Sequence, residues 1–337
     1  MQLQENNIFD NRYILKKILG NGGFSDVWLV EDIKVSNKRM ALKIYAPGQG
    51  LDEDGINLFS SEFELVFDLN HGNLLRSSHF DVCNRSPYLI MPFCEHGSTK
   101  KLIGNTSENE LWRLMHDVAA GLAYLHQLEP PIIHQDIKPD NVMIDAGGHY
   151  LITDFGISTK ARSTLRKSVG NSKTTSGGTI AYMGPERFGK ENEPVKASDI
   201  WALGATLFEL LEGDVPFGDH GGLIQKSGAE IPNIHSECSS ELQKIIYTCL
   251  NINPWDRPTA TKLVEWSENH IKGDRLIIDC KNEQEKLCVK CGKKVPINTK
   301  FCILCGTNQD IIPCRSCKKK IDKSVRFCPF CRTQNNV

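Results

Sequence analysis

His134-Gln135-Asp136-Ile137-Lys138-Pro139-Asp140-Asn141 and, thirteen residues after Asn141, Asp154-Phe155-Gly156 decide how this chain is read. A carboxylate, a lysine and a side-chain amide sit at fixed short offsets, and a second carboxylate follows on its own loop. A carboxylate can align an alcohol and take up its proton. Amide and carboxylate oxygens suit a hard divalent ion such as Mg²⁺. Two loops holding Asp, Lys, Asn and Asp in this order rarely arise by chance.

Upstream, residues 13–19 alternate as a strand, then come Gly20-Asn21-Gly22-Gly23-Phe24-Ser25-Asp26-Val27 and a second strand. Glycines there let backbone amides approach phosphates without side-chain obstruction. Taken alone, a plain hairpin turn explains the segment equally well. Ala41-Leu42-Lys43 follows at the distance of the next strand. Residues 59–69 have helical spacing, with Phe59, Phe63, Val66 and Phe67 on one side, and they carry Glu62 and Glu64. Residues 88–93 form an apolar run that leads into Cys94-Glu95-His96-Gly97. Residues 111–126 repeat apolar side chains near every 3.6 positions, which predicts an amphipathic helix leading into the Asp136 loop.

Over roughly 260 residues these segments resemble eukaryotic-type serine/threonine protein kinases. The resemblance implies an α+β, bilobal kinase fold within residues 1–271, with a β-rich N-lobe at about 10–91 and a helical C-lobe at about 95–271. It implies ATP with Mg²⁺ or Mn²⁺ as cofactors and Ser/Thr hydroxyls of proteins as substrates. It assigns Asp136 to the substrate hydroxyl, Lys138 to the transferring phosphoryl group, and Asn141 and Asp154 to the metal. Lys43 would grip the α and β phosphates, held by Glu62, which takes the ion-pair position when the chain is aligned on His71-Gly72-Asn73. Gly20, Gly22, Gly23 and Ser25 would cradle phosphate, with Ser25 standing where a third glycine is common. Val27 and Ala41 would contact the nucleotide, Met91 would fill the gatekeeper position, and backbone groups of Pro92 and Cys94 would meet the adenine edge. As a plain side chain Met91 packs either way, and Cys94 reads as a backbone contact more than a reactive thiol.

One departure from the family pattern is informative. Gln135 precedes Asp136 where many of these kinases have an arginine that pairs with an activation-segment phosphate, and glutamine has no charge for that task. Residues 157–180 are nevertheless rich in Ser, Thr, Lys and Arg. Two readings stand there, a solvated loop and a target of autophosphorylation. Gly178-Thr179-Ile180-Ala181-Tyr182-Met183-Gly184-Pro185-Glu186 resembles the end of the kinase activation segment, with Gly184 replacing alanine. By the same resemblance Glu186 pairs with Arg257, Asp199 holds backbone amides of the catalytic loop, and Thr179 bridges toward Asp136 and Lys138. These late motifs favour a protein substrate over a small molecule.

The chain has 337 residues, a formal net charge of −1 and no long apolar run, so composition points to neither membrane nor nucleic acid. Its polar N-terminus lacks a signal-peptide pattern, which predicts a reducing cytoplasm. Thirteen cysteines there argue for metal rather than disulfides. The charge is also uneven. From Cys288 onward eleven Lys and Arg face two Asp and Glu, a formal +9, leaving −10 for the rest. Residues 272–287 read as a polar linker between the two.

Cys288-x-x-Cys291, ten residues, Cys302-x-x-Cys305 recurs as Cys314-x-x-Cys317, ten residues, Cys328-x-x-Cys331, a period of 26 that Lys293/Lys319, Phe301/Phe327 and Thr307/Thr333 also obey. Each pair aims two sulfurs at one point, and two pairs complete a tetrahedron. Residues 288–331 resemble a double zinc ribbon with two structural Zn²⁺; iron in similar knuckles is the alternative metal. Two four-thiolate zinc sites leave the tail near +5, which suits an acidic partner. Candidates are an acidic protein face, the acidic kinase lobe itself, and nucleic acid, the last disfavoured by few aromatics for stacking. The runner-up to an active kinase is a nucleotide-binding pseudokinase scaffold that acts through its ribbons. Intact Lys43, Asp136, Asn141 and Asp154 count against it.

Overall fold

Alternating apolar residues between 13 and 45 fold as three long antiparallel strands. The computed structural model describes residues 3–21, 25–47, 50–155, 180–189 and 192–279 and, nearer the C-terminus, 285–287, 294–296, 311–314, 316–322, 331 and 333. The chain divides into two compact units, residues 1–271 and 272–337.

In the first unit, β1 (Ile8–Phe9), β2 (Tyr13–Asn21), β3 (Ser25–Asp32) and β4 (Lys38–Tyr45) are followed by helix α1 (Glu53–Phe67), then β5 (His79–Cys83) and β6 (Ser86–Pro92). They form one antiparallel sheet in the order β1-β2-β3-β4-β6-β5. Two register shifts in β2, between Leu15 and Lys17 and between Ile18 and Gly20, bend it where it approaches the glycine turn. β4 is central and buried from Ala41 to Tyr45, so Lys43 is a charge in an otherwise apolar run. One face of the sheet packs Phe9, Tyr13, Leu15, Trp28, Leu42 and Tyr88 together. On the other, Tyr45, Leu51 and Leu89 receive Phe59 of α1.

The predicted amphipathic helix is α2 (Glu108–Gln127). Ser107 caps it: its Oγ accepts from Glu110 N at 3.3 Å, and the Glu110 carboxylate accepts from Ser107 N at 3.0 Å. A two-stranded hairpin, β7 (Val142–Ile144) and β8 (Tyr150–Ile152), lies against α2. Gly121 of α2 is required by this packing, since a Cβ there would stand 2.9 Å from Ile152 Cδ1 and 3.1 Å from the Asn73 carbonyl oxygen. Asn73 in turn donates from Nδ2 to the Tyr150 carbonyl at 3.1 Å, which joins the His71-Gly72-Asn73 turn to the helical lobe. Helix α3 (Lys196–Glu212) is apolar nearly all round and buried nearly all round. Helices α4 (Gly222–Lys226), α5 (Ser240–Cys249) and α6 (Ala260–Asp279) complete the lobe.

α6 continues eight residues into the segment expected to be a linker. No proline stands between Pro258 and Pro296 to stop it, and Gly273 alone costs a helix only about 1 kcal/mol. β9 (Glu285–Leu287) closes that segment. β9 pairs with β10 (Lys294–Pro296), and β11 (Ile311–Pro313) pairs with β12 (Lys320–Asp322). The second hairpin repeats the first at the 26-residue period: Leu287 faces Lys294 as Pro313 faces Lys320.

Candidate active site

Asp199 near the start of α3 is fully buried and organises the catalytic loop. It accepts from the backbone amides of His134 at 2.9 Å and Gln135 at 2.8 Å, and lies 2.8 Å from His126 Nε2. Gln135 is thereby held at φ +67°, a left-handed conformation that non-glycine residues seldom adopt. His134 fixes the next connection. Its Nε2 is 2.9 Å from the Thr153 carbonyl, which can only accept, so Nε2 carries the proton. Nδ1 is then free to accept from Asp136 N at 3.3 Å. One imidazole therefore ties the Asp136 loop to the strand that delivers Asp154.

The Asp136 carboxylate accepts from Lys138 Nζ at 2.9 Å and from Asn141 Nδ2 at 2.9 Å. Asn141 Nδ2 also donates to the Asp136 carbonyl at 2.8 Å. Its nitrogen committed, Asn141 has Oδ1 left to ligate a cation. Asp154, at φ +63°, accepts from Lys43 Nζ at 2.5 Å. The Lys43 side chain is only 11% exposed. Burial alone would depress its pKa, but the Asp154 carboxylate more than offsets this and holds it above the ordinary lysine value.

Lys43, Asn141 and Asp154 sit at one end of a cavity of about 430 Å³ between the sheet and the β7–β8 hairpin. Gly20, Ser25, Val27, Ala41, Met91, Pro92 and Cys94, all singled out from the sequence, also line it. An apolar slot with a lysine, an amide and a carboxylate at one end fits a nucleotide with its base in the slot and a metal-bound phosphate chain at the polar end. Burial pushes the Cys94 thiol up to about 11, so it is a packing group and not a reactive thiolate. Gly22, Gly23 and Thr179 lie outside the described residues, as do residues 156–179 generally. Glu62 belongs to α1, and its side chain likewise lies outside what is described.

Sequence reasoning missed Leu75 and Met143, which close the apolar slot. Met143 was within reach, because it alternates with Asn141 along the strand that leaves the loop. His126 and the hydrogen bond from Tyr182 Oη to the Glu209 carboxylate were also missed. Both join residues far apart in the chain, and periodicity carries no signal of them. Glu186 accepts from Arg257 at 3.0 and 2.8 Å, and the Arg257 side chain is fully buried. Gly184 lies close against this pair, since a Cβ there would approach the Glu186 carboxylate oxygens to 2.7 Å.

In the second unit, Cys314, Cys317 and Cys331 bring their sulfurs within 4.8 Å of one another. Lys318, at φ +60°, turns the chain between the strands, with Cys314 N donating to Lys319 O at 2.9 Å. Cys314 and Cys331 Sγ are 3.5 Å apart. Thr333 Oγ1 lies 3.3 Å from Cys331 Sγ, and this hydrogen bond is the main cause that lowers the Cys331 thiol to about 5. With Zn–S bonds near 2.3 Å, sulfurs of a tetrahedral site stand about 3.8 Å apart, so these three fit zinc. Cys288, Cys291, Cys302, Cys305 and Cys328 lie outside the described residues.

The protein kinase domain family model matches residues 13–267, and the double zinc ribbon model matches residues 288–332. The chain belongs to the protein kinase family. It is 33% identical over 277 residues to the serine/threonine-protein kinase PrkC of Bacillus subtilis, covering 79% of this chain and 41% of that protein. It is 30% identical over 253 residues to the probable serine/threonine-protein kinase PknB of Lactococcus lactis, covering 72% and 39%. The Arabidopsis thaliana serine/threonine-protein kinase TOUSLED is 28% identical over 278 residues, covering 77% and 40%. The chain spans about two-fifths of the length of these relatives. No described helix is long and apolar enough to cross a membrane.

Proposed function

We propose that the chain is a serine/threonine protein kinase that transfers the γ-phosphate of ATP to hydroxyls of protein substrates. One observation carries this reading: Asn141 joins two charged clusters, touching Asp136 with its amide nitrogen while lining the same cavity end as Lys43 and Asp154. Bound Mg²⁺ would neutralise charge on the phosphates, with Asn141 and Asp154 as its ligands. Asp136, steadied by Lys138 and Asn141, orients the hydroxyl and receives its proton. Lys138 stands beside the transferring group, and Lys43 grips the phosphate chain with Glu62 as its helix partner. Gly20, Gly22, Gly23, Ser25 and the hinge residues Met91, Pro92 and Cys94 hold the nucleotide.

Gln135 sits where a phosphate-pairing arginine would stand, and its backbone is already fixed by Asp199. Activity therefore does not require a phosphorylated activation segment, and enzyme treated with phosphatase retains its rate. The zinc ribbons bind two Zn²⁺ and, being basic, recruit an acidic protein partner. Cytoplasmic placement and autophosphorylation within residues 157–180 belong to the same reading.

The test is incubation with γ-labelled Mg·ATP and a generic protein substrate, beside Asp136→Ala, with phosphosites mapped by mass spectrometry. Label on serine or threonine from the wild type alone is the expected result. Tight ATP binding without transfer would overturn the reading and leave a nucleotide-binding scaffold.

A further inference from the structure

Beyond Cys94 the chain turns into a short 3-10 helix, Thr99–Leu102, and its first residue, Thr99, is fully buried. Valine has the same shape without a hydroxyl to desolvate, so a buried threonine calls for a polar partner. Thr99 has one: its Oγ1 donates to the Pro139 carbonyl at 3.0 Å. Pro139 begins the turn Pro139–Asn141 that presents Asn141. Two further bonds pin this turn from the catalytic loop and the strand beside it. Asn141 N donates to Lys138 O at 2.9 Å, and Thr153 N donates to Asn141 O at 3.0 Å. Thr99 reaches the same turn from the other side, out of the segment that leaves the hinge. That segment is also joined to the strand after the turn, since Ser98 bridges to Met143 and Ile144 N donates to Gly97 O at 2.8 Å. Gly97, Ser98 and Asn141 all line the nucleotide cavity.

We propose that Thr99 is a positioning residue for Asn141, its hydroxyl setting the turn that aims Asn141 Oδ1 at the metal and coupling the adenine end of the cavity to its metal end. This rests on the kinase reading above. Asn141 Nδ2 is committed to the Asp136 carbonyl and carboxylate, so a shift of the Pro139–Asn141 backbone must either move Oδ1 or break those bonds. Thr99 does not itself line the cavity, so it acts through Asn141. Lys100 reaches the same turn, 2.9 Å from Asp140, but both side chains of that pair are largely exposed and solvent screens it. The buried Thr99 bond therefore carries the alignment.

The test measures binding of ATP to the full chain by calorimetry, with and without Mg²⁺, and a melting curve for each variant. The quantity read is the factor by which Mg²⁺ tightens ATP. Thr99→Val keeps the shape and loses the hydroxyl. It is expected to reduce that factor about five-fold, as for loss of one hydrogen bond, with metal-free ATP binding unchanged. Thr99→Ser restores the donor and with it the factor, and Lys100→Ala leaves the factor where it was. Asn141→Ala lowers the factor further, and adding Thr99→Val to it has no additional effect. In turnover, Thr99→Val raises the Mg²⁺ concentration for half-maximal rate more than it lowers kcat. Thr99→Ala reads the same loss if the valine variant does not fold. A lower melting temperature with the factor intact, or equal losses with and without Mg²⁺, would overturn the proposal and leave Thr99 a packing residue. If Asn141→Ala itself leaves the factor unchanged, the kinase reading of the cavity fails, a result distinct from failure of Thr99→Val alone.

Discussion

The strand that carries Lys43 and the hairpin that carries Cys314 hold their chemistry in place by different forces. β4 is the centre of a six-stranded sheet, with apolar clusters on both faces, and its lysine is aimed by packing before any ligand arrives. β11 and β12 are three-residue strands in an isolated pair, and among the described residues of that unit only Cys314 is buried. Two-stranded hairpins of this size are marginal in water. The kinase unit thus preorganises its site with a core, whereas the ribbon unit depends on the metal that its site binds. The two units should therefore respond oppositely to metal removal and to core or polar-network mutation.

The largest separation comes from zinc. Structural zinc sites contribute on the order of 10 kcal/mol each. A zinc-selective chelator should expose residues 288–332 to protease while the melting of residues 1–271, followed by circular dichroism, stays where it was. Next is Asp136→Asn. If Asp136 is the acid–base group proposed above, its loss should reduce kcat by about 10³-fold, about 4 kcal/mol of barrier, with folding intact by calorimetry. Third is the Glu186–Arg257 pair. Glu186→Ala strands a fully buried guanidinium and should cost about 3 kcal/mol in urea denaturation, with no effect on ribbon zinc content. Burial alone would raise the Glu186 carboxyl, but the Arg257 hydrogen bonds outweigh it and hold the carboxyl below its ordinary value. Its contribution is therefore complete above the unfolded value of about 4.3 and is lost as pH falls through the lower folded value. The stability difference between wild type and Glu186→Gln should accordingly shrink in acid. Smallest is Ser107→Ala, which removes the α2 cap and should cost about 1 kcal/mol on the same urea curve.

The sequence made the two regions legible to different depths. Cysteine spacing alone specified the ribbon repeat, because ligand geometry dictates the spacing, and the hairpins follow it strand for strand. In the kinase unit, the resemblance singled out Lys43, Asp136, Asn141 and Asp154, and the structure joins Lys43 to Asp154 and Asn141 to Asp136. Asp199 and the Glu186–Arg257 pair were readable only through resemblance, since they join positions dozens of residues apart. Tyr182 with Glu209, and Glu108 with Ser239, left no trace in periodicity for the same reason. The run of α6 past residue 271 was missed because a polar composition was read as a linker, although nothing in it breaks a helix.

The most direct test of the account measures phosphoryl transfer from Mg·ATP to a generic protein substrate by the full chain, zinc-loaded and zinc-stripped, beside Asp136→Asn. The account predicts comparable kcat in both zinc states, label on serine or threonine, and about 10³-fold less from Asp136→Asn. Transfer that vanishes with zinc, or that survives Asp136→Asn, would contradict it.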